Sequence, residues 1–202
     1  ARGDELPDRL AQSIEAQSRL DVQYTLQRET LDWAYDPEVA SLLGLRRTRN
    51  RAAAVAGYGL LQERNYDAVV IPNGSILEFG ALHRTAAELG TATVSYEFGE
   101  RQGHLWLAQA AEVMRLPTDE LWSARGRRPL TDQQLNRLRE LIQARRGGAP
   151  WNQFSRQWQP AESGGAQATR QRLGLAEDKP VVLLCTNVVG DSLALDRRVF
   201  TR

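Results

Sequence analysis

Between Tyr66 and Glu97 the pattern of apolar residues changes twice, and this constrains the fold more than any other stretch. Tyr66-Asp67-Ala68-Val69-Val70-Ile71-Pro72 is a short apolar run of the kind that forms a buried strand. Asn73-Gly74-Ser75 is a turn. From Ile76 to Leu89 the apolar residues recur at helical spacing (Leu77, Ala81, Leu82, Ala86, Leu89), and Gly90 closes the segment. Thr91-Ala92-Thr93-Val94-Ser95-Tyr96-Glu97 is a second strand-like run. A strand–helix–strand unit of this length is a βαβ crossover, whose strands are parallel and usually adjacent. The fold class is therefore α/β, a parallel sheet with flanking helices. The expected strands lie near 67–71 and 92–96.

The remainder reads mostly as helix. Residues 5 to about 33 carry Leu6, Leu10 and Ile14 at four-residue spacing, although Val22, Tyr24 and Leu26 alternate as in a strand; helix is the favoured reading. Asp36-Pro37 supplies an N-cap and a first-turn proline, opening a helix that Gly44 is expected to end. A second helix, 47–64, has a small-residue face suited to close packing. Helices are also expected from about His104 to Met114, from Thr118-Asp119 through Trp122, from Thr131-Asp132 to Arg145-Arg146-Gly147-Gly148, and from Ala166 to Leu173. Residues 147–166 read as a linker that docks on a surface through Trp151, Phe154 and Trp158, because exposing them would leave an apolar patch. Lys179-Pro180-Val181-Val182-Leu183-Leu184-Cys185-Thr186-Asn187 reads as a buried parallel strand, centred on 181–185. Such a strand needs neighbours on both sides. Together with a first residue that is not Met, this predicts a piece of a longer protein. The expected organisation is a helix-rich start and a parallel α/β domain over 1–146, a linker over 147–166, and an incomplete second domain over 167–202.

Charge excludes one broad class. The chain has 26 basic and 25 acidic residues, whereas a dedicated nucleic-acid binder usually carries a basic excess. The single Cys185 cannot form an internal disulfide. Two His and one Cys at unrelated spacings make a structural zinc site improbable. No apolar run approaches the roughly 20 residues of a membrane helix. The expectation is a cytoplasmic protein, at most peripheral to the inner face of a membrane, that needs no metal or cofactor.

In parallel α/β sheets ligands bind beyond the carboxyl ends of the strands. Three such ends are legible: Asn73-Gly74-Ser75, Glu97-Phe98-Gly99-Glu100, and Asn187 through Gly190-Asp191-Ser192. All are small and polar, as turns also are. Free N–H groups at Asn73, Gly74 and Ser75 can hold an anion or a sugar hydroxyl; Ser75 can equally serve as a helix cap. Glu97 or Glu100 can act as general base on a hydroxyl, while the plain alternative for either is a solvated acid paired with Arg101. His104, at the expected helix start, would be kept neutral and available as a base. His83, in mid-helix, reads as a surface or packing residue. Asp191 and Ser192 can contact a phosphate or a sugar, or form an Asx turn. The chain contains no G-x-G-x-x-G, Walker loop or G-x-S-x-G.

The succession strand–Asn-Gly-Ser–helix, strand–Tyr96-Glu97-Phe98-Gly99-Glu100, linker, and Pro-Val-Val-Leu-Leu-Cys-Thr-Asn-Val-Val-Gly-Asp-Ser resembles bacterial glycosyltransferases of the GT-B fold, of the capsular-polysaccharide-biosynthesis type. The resemblance spans roughly residues 60–202. It implies two Rossmann-like domains facing across a cleft, with the first binding the acceptor and, in inverting members, supplying the base. On that pattern Glu97, Glu100 and His104 fall on the acceptor side, with Asn73, Gly74, Ser75 and Gly99 on the same rim. Asn187, Gly190, Asp191 and Ser192 fall near the donor phosphates. The implied partners are a nucleotide sugar and a glycan or other hydroxyl acceptor, and this stretch alone is expected to be inactive. A non-catalytic α/β module that binds a glycan or a protein, and a sugar-nucleotide epimerase of similar architecture, are the alternatives.

Overall fold

The computed structural model describes residues 5–99, 103–146 and 165–182. Its body is three layers deep. A small mixed sheet forms the first layer, one central helix the second, and two long N-terminal helices the third.

Helix α1 spans Asp8–Leu26 and α2 spans Pro37–Glu63. The apolar spacing of Leu10 and Ile14 places both in a core with Ala54 and Ala81. A second cluster, Val22, Leu31, Val39 and Leu43, ties the far end of α1 to the start of α2. The ambiguous run Val22-Tyr24-Leu26 is helical. The helix ends where Gln27 takes a left-handed conformation (φ 55°), earlier than the periodicity predicts. Asp36 caps α2 as expected, its Oδ1 accepting from the N–H groups of Glu38 (2.9 Å) and Val39 (3.3 Å). Gly44 does not end that helix. The expected 36–44 and 47–64 segments form one rod of 27 residues, because no proline interrupts it and each of its glycines, Gly44, Gly57 and Gly59, costs only about 1 kcal/mol.

The crossover is observed. Strand β1 (Val69–Pro72) pairs in parallel with β2 (Thr93–Phe98), joined by α3 (Leu77–Glu88). The register sets Val69 beside Thr93 and Ile71 beside Ser95. Small residues let α3 lie close on both sides: Gly80, Ala81 and Ala86 are buried.

The helix expected from His104 to Met114 is instead a third strand, β3 (Leu105–Gln109), antiparallel to β2, followed by a single 3-10 turn at Val113–Arg115. Gly103 takes a left-handed conformation (φ 74°) just before the strand, and pairing with Glu97, Tyr96 and Ser95 outweighs the local helical preference of Leu and Ala. The sheet order is β1-β2-β3, mixed rather than purely parallel.

Beyond the body, α4 (Asp119–Arg125), α5 (Asp132–Arg146) and α6 (Gly165–Leu173) form where the sequence predicts helices. Thr131 and Gln134 make a reciprocal capping box at the start of α5: the Thr131 N–H donates to Gln134 Oε1 (2.9 Å) and the Gln134 N–H donates to Thr131 Oγ1 (3.3 Å). Among the described residues these three helices pack against no other element. Val181 and Val182 are not in a strand and are exposed, contrary to the expected buried strand. The rest of that strand, most of the linker, Glu100, Asn187, Gly190, Asp191 and Ser192 lie outside the described residues.

Candidate functional site

The strand register assembles the site. One face of the sheet, covered by α3 over β1 and β2 and by the 3-10 turn over β2 and β3, carries Ile71, Thr93, Ser95 and Ala108, all buried. Side chains alternate along a strand, so residues two positions on return to the same face. Ile71, Ser95 and Ala108 are partners across the three strands. The next row on that face, one step toward the carboxyl ends of β1 and β2, is Asn73, Glu97 and Trp106. The ladder supports this row directly: the Asn73 N–H donates to Tyr96 O (2.7 Å), and Glu97 is the register partner of Trp106. Asn73 Nδ2 donates to Glu97 Oε2 at 3.4 Å. One row further, the Gly99 N–H donates to His104 O (2.8 Å), so the hairpin continues and sets His104 beyond Trp106 on the same side. Four of the residues singled out by the sequence, Asn73, Glu97, Gly99 and His104, are thus brought to one rim.

Their chemical settings differ from the expectation at several points. His104 is exposed and sits at the entrance to β3. The helix terminus that was to hold its imidazole neutral does not exist there. Glu97 is half-buried, with Oε1 accepting from the Phe98 N–H (3.0 Å). Ser75 is not a helix cap: α3 has Ile76 at that position and no side-chain cap bond, while Ser75 itself is buried.

The anion cradle expected at the start of α3 is already occupied by the protein. The Gly74 N–H donates to Pro72 O (2.6 Å), that of Ser75 to Asn73 Oδ1 (3.0 Å), and that of Leu77 to Asp21 Oδ1 (2.7 Å). A carboxylate from α1 therefore stands where a bound anion would stand, and it complements the positive end of the helix. Asp21 also accepts from Gln17 Nε2 (2.9 Å) and Asn50 Nδ2 (2.6 Å). Burial pushes its carboxyl up from the ordinary value, against these hydrogen bonds and the charge of Arg46, which pull it down. Gln17 in turn donates to Ser75 O (3.0 Å) and accepts from Arg84 Nε (2.8 Å). Asp21, Gln17 and Asn50 thus form a buried frame that locks the turn from behind.

The turn is conformationally constrained. Asn73 (φ 60°), Gly74 (φ 80°) and Leu77 (φ 54°) are all left-handed. Asn tolerates this geometry and Gly prefers it; Leu does not. A Cβ on Gly74 would lie 3.1 Å from Ser95 Cβ and 3.4 Å from the His83 ring. His83 therefore underlies the turn. It is buried, with Nε2 3.5 Å from Thr93 Oγ1, and burial lowers its pKa, with the charge of Glu112 opposing.

Sequence reasoning missed Gln17, Asp21, Asn50 and Trp106. The first two had a signal: they extend the Leu10–Ile14 stripe at spacings of three and four, and a polar residue on an apolar stripe is a candidate for a buried network. Trp106 had none while its segment read as helix.

A cavity of about 200 Å³ between α1 and α2, lined by Ile14, Glu15, Ser18 and Arg47 among others, contains none of the rim residues. Among the described residues no cluster of His, Cys, Asp and Glu is arranged to hold a metal ion, and no helix is long and apolar enough to cross a membrane. Comparisons with protein-family models, with curated proteins and with solved structures find no match to this chain.

Proposed function

We propose that the chain is the acceptor-side part of a sugar transferase of the GT-B type, acting from a nucleotide-sugar donor on a hydroxyl acceptor in polysaccharide synthesis. The observation that carries this reading is the contact between Asn73 and Glu97 at the carboxyl ends of a parallel strand pair. A half-buried carboxylate oriented by a neighbouring amide has the chemistry of a general base for a sugar hydroxyl. Glu97 would take the acceptor proton as the hydroxyl oxygen attacks the anomeric carbon, while the nucleoside diphosphate leaves. His104, one row further along the rim, is the second candidate for that role, and Glu100 the third. Asn73 positions the carboxylate. Asn187, Gly190, Asp191 and Ser192 would belong to the donor side.

The test is transfer from a panel of sugar nucleotides by the complete gene product, with Glu97→Gln, Glu100→Gln and His104→Ala compared. Loss of a general base lowers turnover by about 10²–10⁴-fold; Glu97→Gln is expected in that range with its melting temperature and donor binding unchanged. Near-normal turnover in all three variants would reject the catalytic reading and leave a glycan- or protein-binding module in its place.

A further inference from the structure

We propose that Trp106 is the stacking platform for the acceptor's pyranose ring, and that it sets how the ring's hydroxyl meets Glu97. This rests on the transferase reading for the identity of the ligand, but its geometry is independent of it. The side chain is 45% exposed although its register partner Glu97 is half-buried and the preceding row, Ser95 and Ala108, is buried. Among the described residues α3 packs on β1 and β2 but not on β3, so that helix leaves the indole uncovered. Its neighbours on β3, Leu105 and Leu107, alternate onto the opposite face, so Trp106 is the aromatic residue of this rim row. Directly opposed residues in an antiparallel pair have their Cβ atoms about 4.5–5.5 Å apart. Residues opposed in this way present a carboxylate and an indole side by side, which matches a ligand with two kinds of surface. A pyranose is such a ligand: its axial C–H groups form an apolar face, and its hydroxyls form a polar edge. The indole contributes a broad apolar surface at low conformational cost, and Asn73 and Glu97 contribute the few directed polar groups that fix orientation in a binding site. His104, exposed one row beyond, borders the same surface.

The experiment uses the methyl α- and β-pyranosides of glucose, galactose, rhamnose and N-acetylglucosamine, screened by saturation-transfer NMR. At least one glycoside is expected to receive saturation at its ring C–H protons. Trp106→Ala should then weaken that glycoside about tenfold or more, and Trp106→Phe, which keeps an aromatic face, by no more than about threefold. Protein labelled with 5-fluorotryptophan gives a reading that does not depend on a variant folding: the Trp106 resonance, assigned by its loss in Trp106→Phe, should shift on adding the glycoside. Equal affinity in Trp106→Ala, an unmoved fluorine resonance, or no saturation of any glycoside overturns the proposal. The two readings fail separately. Glycoside binding that depends on Trp106 without any sugar transfer sustains the platform and rejects the transferase. Sugar transfer whose acceptor KM is unchanged in Trp106→Ala does the reverse.

Discussion

His83 shows how one residue ties the rim to the solution conditions. Its ring fills the space beneath Gly74, so the left-handed turn rests on it. The charged groups that act on it are Glu112, Arg84 and Arg115, and the backbone of Ala111 also hydrogen-bonds to it; burial dominates and holds its pKa below 6.5. A base whose folded pKa is depressed binds fewer protons folded than unfolded. Its contribution to stability is therefore complete above about pH 6.5 and is lost as the pH falls below that value toward the folded-state pKa. Urea midpoints measured at pH 7.5 and 5.5 should fall on acidification in the wild type. The fall should be smaller in His83→Gln, because glutamine has no proton to take up. An equal fall in both proteins would mean that other groups carry the effect.

At the scale of elements, the packing of α3 against α1 depends on the absence of a side chain. A Cβ on Gly80 would lie 2.6 Å from Gln17 Cδ. Gln17 cannot yield freely, because it holds Asp21, Ser75 and Arg84. Gly80→Ala should gain about 1 kcal/mol of helix propensity and lose hydrogen bonds worth about 0.5–1.5 kcal/mol each. A net destabilisation of about 1–3 kcal/mol follows, read as a lower urea midpoint with an unchanged slope. A more stable variant would show that Gln17 relocates without cost. The same elements show what the sequence discloses. The βαβ unit was legible because each part repeats with its own period and each is ended by turn residues. Asn73 and Glu97 were legible as strand ends. β3 was not, since Leu105-Trp106-Leu107-Ala108 has no clear period of its own and becomes a strand only through pairing with β2, a non-local effect. Gly44 misled for the opposite reason: an interior glycine and a terminal one look alike in sequence. The buried frame around Asp21 required knowing that α1 packs on the start of α3, and no local pattern carries that.

At the scale of the molecule, the buried packing of the described residues lies in the N-terminal body. Both hydrophobic clusters and the buried polar frame lie between Leu10 and Ala81, while α4, α5 and α6 pack against none of the elements described. A chain ending at Thr118 should therefore melt within a few degrees of the parent and keep the circular-dichroism signal of α1, α2 and α3, less that of the three helices removed. A large drop would mean that residues beyond Thr118 support the body after all. The sheet's second face has a practical meaning of another kind. Val70, Phe98, Leu105 and Leu107 are exposed there, next to strand edges whose backbone groups can pair with another chain. With a formal charge of +1 and an isoelectric point near 8.2, little electrostatic repulsion keeps two such faces apart in mildly alkaline buffer. Colloidal behaviour should thus depend on pH through this surface: turbidity and light scattering rise toward pH 8 and fall in mild acid, whereas the conformational stability set by His83 is greatest on the alkaline side and falls in that same mild acid. The buffer that best keeps the protein dispersed is then not the buffer that best keeps it folded.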